Sequence, residues 1–237
     1  MCIILGKLKN NKHFDIDTIE TAMKNNPDGF SYTIFDDRYN LIETYKTLDH
    51  KNFIDRYKNI ILNLDLNYTI IYHFRIATNG AICEKNTHPF ENKNNILWHN
   101  GIFAEFASDK KHSDTKAFLN KYITNKTINF SKICEKIDSN KIIVYNKETK
   151  NLYYSDNFIT LDDGNIASNT SYINYKYLYN YNYYDDDYNY FDTDLNDFID
   201  DTIATLKKIK KIKNTSEKMK YLLDIYYDID YITSCQY

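Results

Sequence analysis

Tyr68-Thr69-Ile70-Ile71-Tyr72-His73-Phe74-Arg75-Ile76-Ala77-Thr78 is the stretch on which the fold reading turns. Side chains alternate between the faces of a strand, so Thr69, Ile71, His73 and Arg75 share one face and Ile70, Tyr72, Phe74 and Ile76 the other. Arg75 therefore emerges at the end of a strand and is followed by a loop through Phe90. Upstream, Cys2 to Leu8 is a short apolar run suited to a buried strand. Asp15 to Lys24 reads as a helix with Ile16, Ile19 and Met23 on one face and Asp15 or Asp17 as its cap. Pro27-Asp28-Gly29 is a turn, and Phe30 to Phe35 pairs plausibly with Asn40 to Thr47. Phe53, Tyr57, Ile60 and Leu64 recur at helical spacing, which predicts a helix over 49–64.

Downstream, Ile96 to His99 is a second short strand, stopped by Asn100-Gly101. Ser113 is the expected cap of a helix that turns Ala117, Phe118 and Tyr122 inward. A further helix near Ser131 to Lys136 precedes strands at Lys141 to Asn146, Asn151 to Ser155 and Phe158 to Asn169. Strands and helices in this order, without regular βαβ alternation, indicate an α+β or sheet-sandwich layout. Three regions follow: a main domain over 1–171, a Tyr/Asn/Asp-rich linker over 172–191, and a helical hairpin over 192–237. The acidic start and basic end of Asp192 to Asn214 suit a helix dipole. Its lysine run reads as a solvated face. The tyrosine stretch is open between a partner surface and simple composition bias.

Composition bounds the function. The 237 residues are enough for a substantial core, 43% are hydrophobic and 27% charged, and the formal net charge is −3. A non-specific nucleic-acid binder would carry a net basic face, so no nucleic-acid partner is expected. No apolar run reaches the ~18 residues of a membrane helix, and Lys7 and Lys9 interrupt the opening run too early for a signal peptide. A soluble, cytoplasmic protein is expected. The abundance of Asn, Lys, Ile and Tyr suggests an AT-rich coding sequence, as in some viruses and phages, in which case the compartment is the host cytoplasm. Cys2, Cys83, Cys134 and Cys235 are scattered and form no Cys-x-x-Cys pair, so neither a disulfide framework nor a structural zinc site is expected. His73, His88 and His99 with Cys83 match no common zinc spacing. These histidines are expected to orient the loop by hydrogen bonds, with no metal and no cofactor. Where a chain so poor in Gly, Pro and Trp still uses them, backbone or packing chemistry is the expected reason. Both prolines, the single Trp and three of the five glycines fall between Pro27 and Gly101.

Cys2 would become the first residue on removal of Met1, placing a free α-amine beside its own thiol. An α-amine with a pKa of about 7.7 to 8.0 can take the thiol proton near neutral pH. Met1-Cys2-Ile3-Ile4, His73 to Gly80, Asn86-Thr87-His88-Pro89-Phe90, His99-Asn100-Gly101 and Ser113-Asp114-Thr115 occur in an order that resembles class II glutamine amidotransferases. Asn26-Pro27-Asp28-Gly29-Phe30 resembles that family's early Asp-Gly turn, and Gly164 to Asn169 its late Ser-Asn strand. The resemblance covers roughly residues 1–170.

The resemblance implies an N-terminal-nucleophile (Ntn) hydrolase fold, a four-layer αββα sandwich with the first strand in the centre. It implies that Cys2 attacks the side-chain amide of glutamine, with the Asn100 side chain and the Gly101 N–H as oxyanion hole. Arg75, with Thr78 and Asn79 nearby, would hold the substrate α-carboxylate, and Asp114 its α-ammonium. Ammonia would leave, and water would then cleave the γ-glutamyl thioester. Read by themselves, the same residues also fit structural roles: Arg75 an ion-pair partner, Asn100-Gly101 a turn, Asp114 a first-turn helix residue. Many family members carry Trp after the Arg and His before the Gly, where this chain has Ile76 and Asn79, so a modified pocket is expected. There is no phosphate-binding GxxxxGK[ST] loop and no Ser-Gly-Gly-x-Asp-Ser-like segment. The expected activity is glutamine hydrolysis with ammonia passed to a separate acceptor or synthase protein. The alternatives are hydrolysis of another γ-glutamyl amide, or a catalytically idle binding or regulatory module.

Overall fold

The first strand, β1 (Ile3–Lys7), is buried at every position, as an unbroken apolar run requires when both faces of a sheet are covered. In a computed structural model, which describes residues 1–78, 80–107 and 113–173 together with 203, 206, 207 and 210, β1 lies inside a six-stranded antiparallel sheet. Its neighbours are β4 (Thr69–Phe74) and β10 (Ile166–Ala167). Beyond them lie β2 (Phe30–Phe35), β3 (Leu41–Thr47) and β9 (Ile159–Thr160), in the order β3-β2-β4-β1-β10-β9. A second antiparallel sheet has the order β5 (Phe90–Glu91), β6 (Asn95–Asn100), β7 (Lys141–Asn146), β8 (Asn151–Tyr154). Four α-helices accompany the sheets among the described residues: α1 (Ile16–Asn25), α2 (His50–Asn63), α3 (Asp114–Tyr122) and α4 (Phe130–Cys134). The fold is α+β. The chain divides into two units, Met1–Asn180 and Tyr181–Tyr237.

Strand alternation sorts the core into three clusters. Ile3 and Leu5 of β1, with Ile70, Tyr72 and Phe74 of β4, pack against Ile19 and Met23 of α1 and Phe53 and Tyr57 of α2. The residues between them, Ile4 and Ile71, join Ile96 and Trp98 of β6 and Ile143 and Tyr145 of β7. The opposite face of the second sheet presents Leu97, Ile142 and Val144 to Phe118 and Leu119 of α3 and to Ile133 of α4. Period-two alternation is the reason one strand can serve two clusters. Lys7 closes β1 by donating Nζ to the carbonyls of Leu66 and Tyr68.

Most expected elements coincide with observed ones within a residue or two. Asp15 caps α1 through Thr18 N, and Asp49 caps α2 through Asn52 N, satisfying amides that helix geometry leaves open. Three expectations are corrected. Ser113 occupies the N-cap position of α3 but makes no side-chain cap bond; the Asp114 carboxylate instead accepts from Thr115 N and Phe103 N, both at 2.8 Å. The buried residues of α3 are Thr115, Phe118 and Leu119, with Tyr122 partly buried against the same cluster; Ala117 is not among them. Phe158 to Asn169 is not one strand but the hairpin β9–β10, reversed at Gly164 with φ of 82°. Asn100, expected to stop β6, is its last residue and pairs with Lys141. The linker from 174 onward and the C-terminal hairpin lie outside the described residues, except that Ile203, Leu206, Lys207 and Lys210 are helical.

Candidate active site

The end of β4 is set by the turn that precedes β2. Arg75 N donates to Gly29 O at 2.8 Å, and Asp28 N donates to Arg75 O at 2.9 Å. Asp28 Oδ2 then takes Ala77 N at 2.7 Å, so three contacts peel residues 75–77 out of the sheet. Gly29 is required there: its φ is 149°, and a Cβ would lie 2.4 Å from Thr87 Oγ1. The Arg75 guanidinium is buried and donates to Ala81 O and Gly80 O, each at 3.3 Å.

Cys2 precedes β1, and the pairing of Ile3 with Phe74 brings it to the same end of the sheet as Arg75. Cys2, Arg75, Thr78, Gly101 and Asp114 line a single cleft, with Asn86 and His99 among its other walls. The Cys2 thiol is half-buried and its Sγ faces Ile76 O at 3.8 Å. Burial pushes the thiol pKa above its ordinary value; a backbone hydrogen bond of Ile76, the N-terminal amine and Arg75 pull it back, and Asp114 opposes them. A neutral thiol needs a base before it can attack. The cleft volume is about 30 Å³, room for roughly one water.

Asn100 is not among the residues lining the cleft. Its Nδ2 donates to Ser168 Oγ at 2.9 Å, and the same hydroxyl accepts Ile4 N at 2.8 Å. Asn100 Oδ1 is buried with no partner among the described residues. A half-turn of the amide, which exchanges two groups of nearly equal size, pairs Oδ1 with the Ser168 hydroxyl proton and releases Nδ2 as a donor. Gly101 follows with φ of 140°, and a Cβ there would stand 1.8 Å from Asn140 Oδ1. Asn79 lies outside the described residues.

Three buried histidines, of which His88 and His99 line the cleft, form one hydrogen-bonded chain whose proton positions can be worked out. Asn140 Nδ2 donates to Ile137 O at 2.7 Å, which leaves its Oδ1 as acceptor for His99 Nε2–H at 2.9 Å. Neutral His99 then has a bare Nδ1, which accepts the Thr115 hydroxyl at 2.8 Å. The Thr115 oxygen in turn accepts His88 Nε2–H at 3.2 Å, while its contact to Asp114 Oδ1 is longer, 3.3 Å. His73 Nε2 donates to His99 O at 3.1 Å, and its ring stacks on His88 with centroids 4.0 Å apart. His99 stacks on Phe103, and Phe103 on Phe118. Desolvation lowers the pKa of His73 to about 3 and of His99 to about 4, and holds His88 well below the ordinary value. All three are neutral, and their hydrogen bonds tie β4, β6 and α3 to Asn140 and to His88 of the loop. No group of three or more His, Cys, Asp or Glu among the described residues is arranged to hold a metal ion. No helix among them is long and apolar enough to cross a membrane.

Sequence reasoning did not find Asn140 or the part Thr115 plays with it in ordering the histidines, nor the part played by Asn26 and Asn169. Asn169 Nδ2 donates to Cys2 O, and Asn26 Nδ2 to Met1 O, each at 2.8 Å. In a chain so rich in asparagine, a single Asn carries no signal of its own.

No protein-family model matches the chain, and no curated protein matches it. Among solved structures, the glutamine phosphoribosylpyrophosphate amidotransferase of B. subtilis complexed with ADP and GMP is similar to it, with a TM-score of 0.47 and 13% sequence identity. That match covers 71% of this chain and 42% of the other, so the chain spans less than half the length of this neighbour.

Proposed function

We propose that the protein is an N-terminal-cysteine amidohydrolase acting on glutamine, in a four-layer αββα domain of the Ntn-hydrolase type. The observation that carries this reading is the convergence of Cys2, Arg75, Gly101 and Asp114, drawn from four separate segments, on one cleft. An amino-acid substrate presents an anion, a cation and an amide, and this cleft offers a guanidinium, a carboxylate and a nucleophile. The three apolar clusters, one between the sheets and one beneath each helical layer, support the αββα order.

In this reading Met1 is removed, and the Cys2 amine accepts the thiol proton. Sγ attacks the amide carbon, and the oxyanion is held by Gly101 N–H and by Asn100 Nδ2 in its turned orientation. The proton passes to the departing nitrogen, which leaves as ammonia. Water then opens the thioester, giving glutamate and restoring the thiol. Arg75 and Thr78 hold the substrate α-carboxylate, with Asn79 assigned to the same pocket wall, and Asp114 pairs with the α-ammonium. The domain is assigned to 1–171, with 172–191 as linker and 192–237 as an extension that docks a separate acceptor protein.

One observation favours a second reading: a cleft of about 30 Å³ suits an idle binding or regulatory module with this fold. Glutaminase assay of the purified protein beside Cys2→Ala separates the two. Glutamate release that disappears in Cys2→Ala supports the enzyme. A wild type that releases none, with its amino terminus verified by mass spectrometry to be Cys2, supports the idle module.

A further inference from the structure

The first two carbonyls of the chain are not taken up by the sheet. β1 begins at Ile3, and the carbonyls of Met1 and Cys2 are held by the side-chain amides of Asn26 and Asn169. These two contacts differ in what Met1 removal does to them. The Cys2 carbonyl survives, so Asn169 continues to fix the backbone on that side. The Met1 carbonyl is lost, and Asn26, only 2% exposed at the C-cap of α1, loses the acceptor of its Nδ2.

A peptide oxygen and nitrogen share one carbon, through bonds of about 1.2 and 1.3 Å. The amine created at Cys2 therefore lies roughly 2.3 Å from the point at which Asn26 now donates. A small rotation of the side chain reaches it. Turned by half, the same amide offers Oδ1 to an N–H of the amine or ammonium. A buried amide left unpaired costs about 1–3 kcal/mol, which favours the new contact.

We propose that Asn26 is a positioning residue for the α-amine of Cys2, exchanging the Met1 carbonyl for the amino group and holding that group beside Sγ. This deepens the proposed function and rests on it, since a base on the first residue has a purpose only if that residue is the nucleophile. Asn169 and Asn26 together then fix both sides of the Cys2 Cα, leaving the thiol directed by the backbone and not by its own rotamer alone.

The test uses the full chain beginning at Cys2, released from a fusion where necessary and labelled with 13C-cysteine. The Cys2 resonance is identified by its absence in Cys2→Ser, and its pH titration reports the α-amine. Asn26→Asp, nearly isosteric, is expected to raise the amine pKa by about one unit or more, because a carboxylate beside an ammonium stabilises the charged form. Asn25→Asp is the control. It makes the same charge change one residue away, on an exposed side chain that donates to Ser171 O, and is expected to shift the amine by no more than a few tenths of a unit. Asn26→Ala is expected to lower kcat about tenfold or more with KM unchanged. An Asn26→Asp shift no larger than that of Asn25→Asp overturns the proposal. A wild type without glutaminase activity overturns the enzymatic reading instead, while the titration still decides whether Asn26 holds the amine.

Discussion

Lowering the pH from 7 to 5.5 is expected to cost this fold about 4 kcal/mol, long before its carboxylates titrate. His73, His88 and His99 are buried and neutral, with pKa values of about 3 and about 4 for the first and last and well below the ordinary value for the second. In the unfolded chain each reverts to about 6.5. A group whose folded pKa is depressed leaves the native state with fewer bound protons, so stability is full above the unfolded pKa and drains away as pH falls towards the folded one. At pH 5.5 the unfolded chain gains a little over 1 kcal/mol per histidine, by 1.36 kcal/mol for each unit below 6.5. The result barely depends on the folded values, provided they lie below about 5. His13, also lowered chiefly by burial, adds in the same direction, whereas the lowered carboxylates Asp36, Glu91 and Glu105 act at more acid pH. Urea unfolding at the two pH values measures the loss, and NMR of the ring protons follows each histidine. A loss under about 1 kcal/mol, or three rings titrating near 6.5, would refute the neutral chain and the tautomers deduced from it.

Gly101→Ala places a Cβ 1.8 Å from Asn140 Oδ1 at a φ of 140°, and should lower stability by 2 kcal/mol or more in the same unfolding assay. Thr115→Val keeps the shape but strips His88 Nε2 and His99 Nδ1 of their shared partner; a loss of about 2 kcal/mol or more is expected, and a neutral result would show that the chain is not needed. Trp98→Ala opens the interior between the sheets, where Trp98 is fully buried, and should cost about 3–5 kcal/mol. Ser168→Ala leaves Ile4 N without its buried acceptor and frees the Asn100 amide, for about 1–3 kcal/mol by denaturant titration.

The central strands were legible because β1, β2, β4 and β6 are covered on both faces, and hydrophobic period reports such burial directly. Which cluster each face joins was not legible: alternation separates Ile3 and Leu5 from Ile4 but does not say which set meets the helices. The end of β4 was readable only in part. Arg75 at the tip follows from its place in the run, whereas the Asp28–Gly29 grip that ends the strand joins segments far apart in sequence. The hairpin within 158–169 carries a turn signal in Asp162-Asp163-Gly164, set between the β-branched Ile159, Thr160 and Ile166. Ser113 suits the cap of α3 by residue type, yet the carboxylate beside it accepts Thr115 N of the helix and Phe103 N of the preceding loop. The histidine chain draws on five positions in separate segments, and no local pattern announces such a cluster.

The placement of β1 between β4 and β10 bears on how the protein should be handled. An affinity tag or leader fused ahead of Met1 turns the amine at Cys2 into a permanent amide while leaving the central strand and its hydrogen bonds intact. Such a preparation would fold and melt normally yet lack the base that the proposed chemistry requires. A purification handle at the other terminus, or one cut so that Cys2 comes first, avoids mistaking a blocked amine for an inert protein.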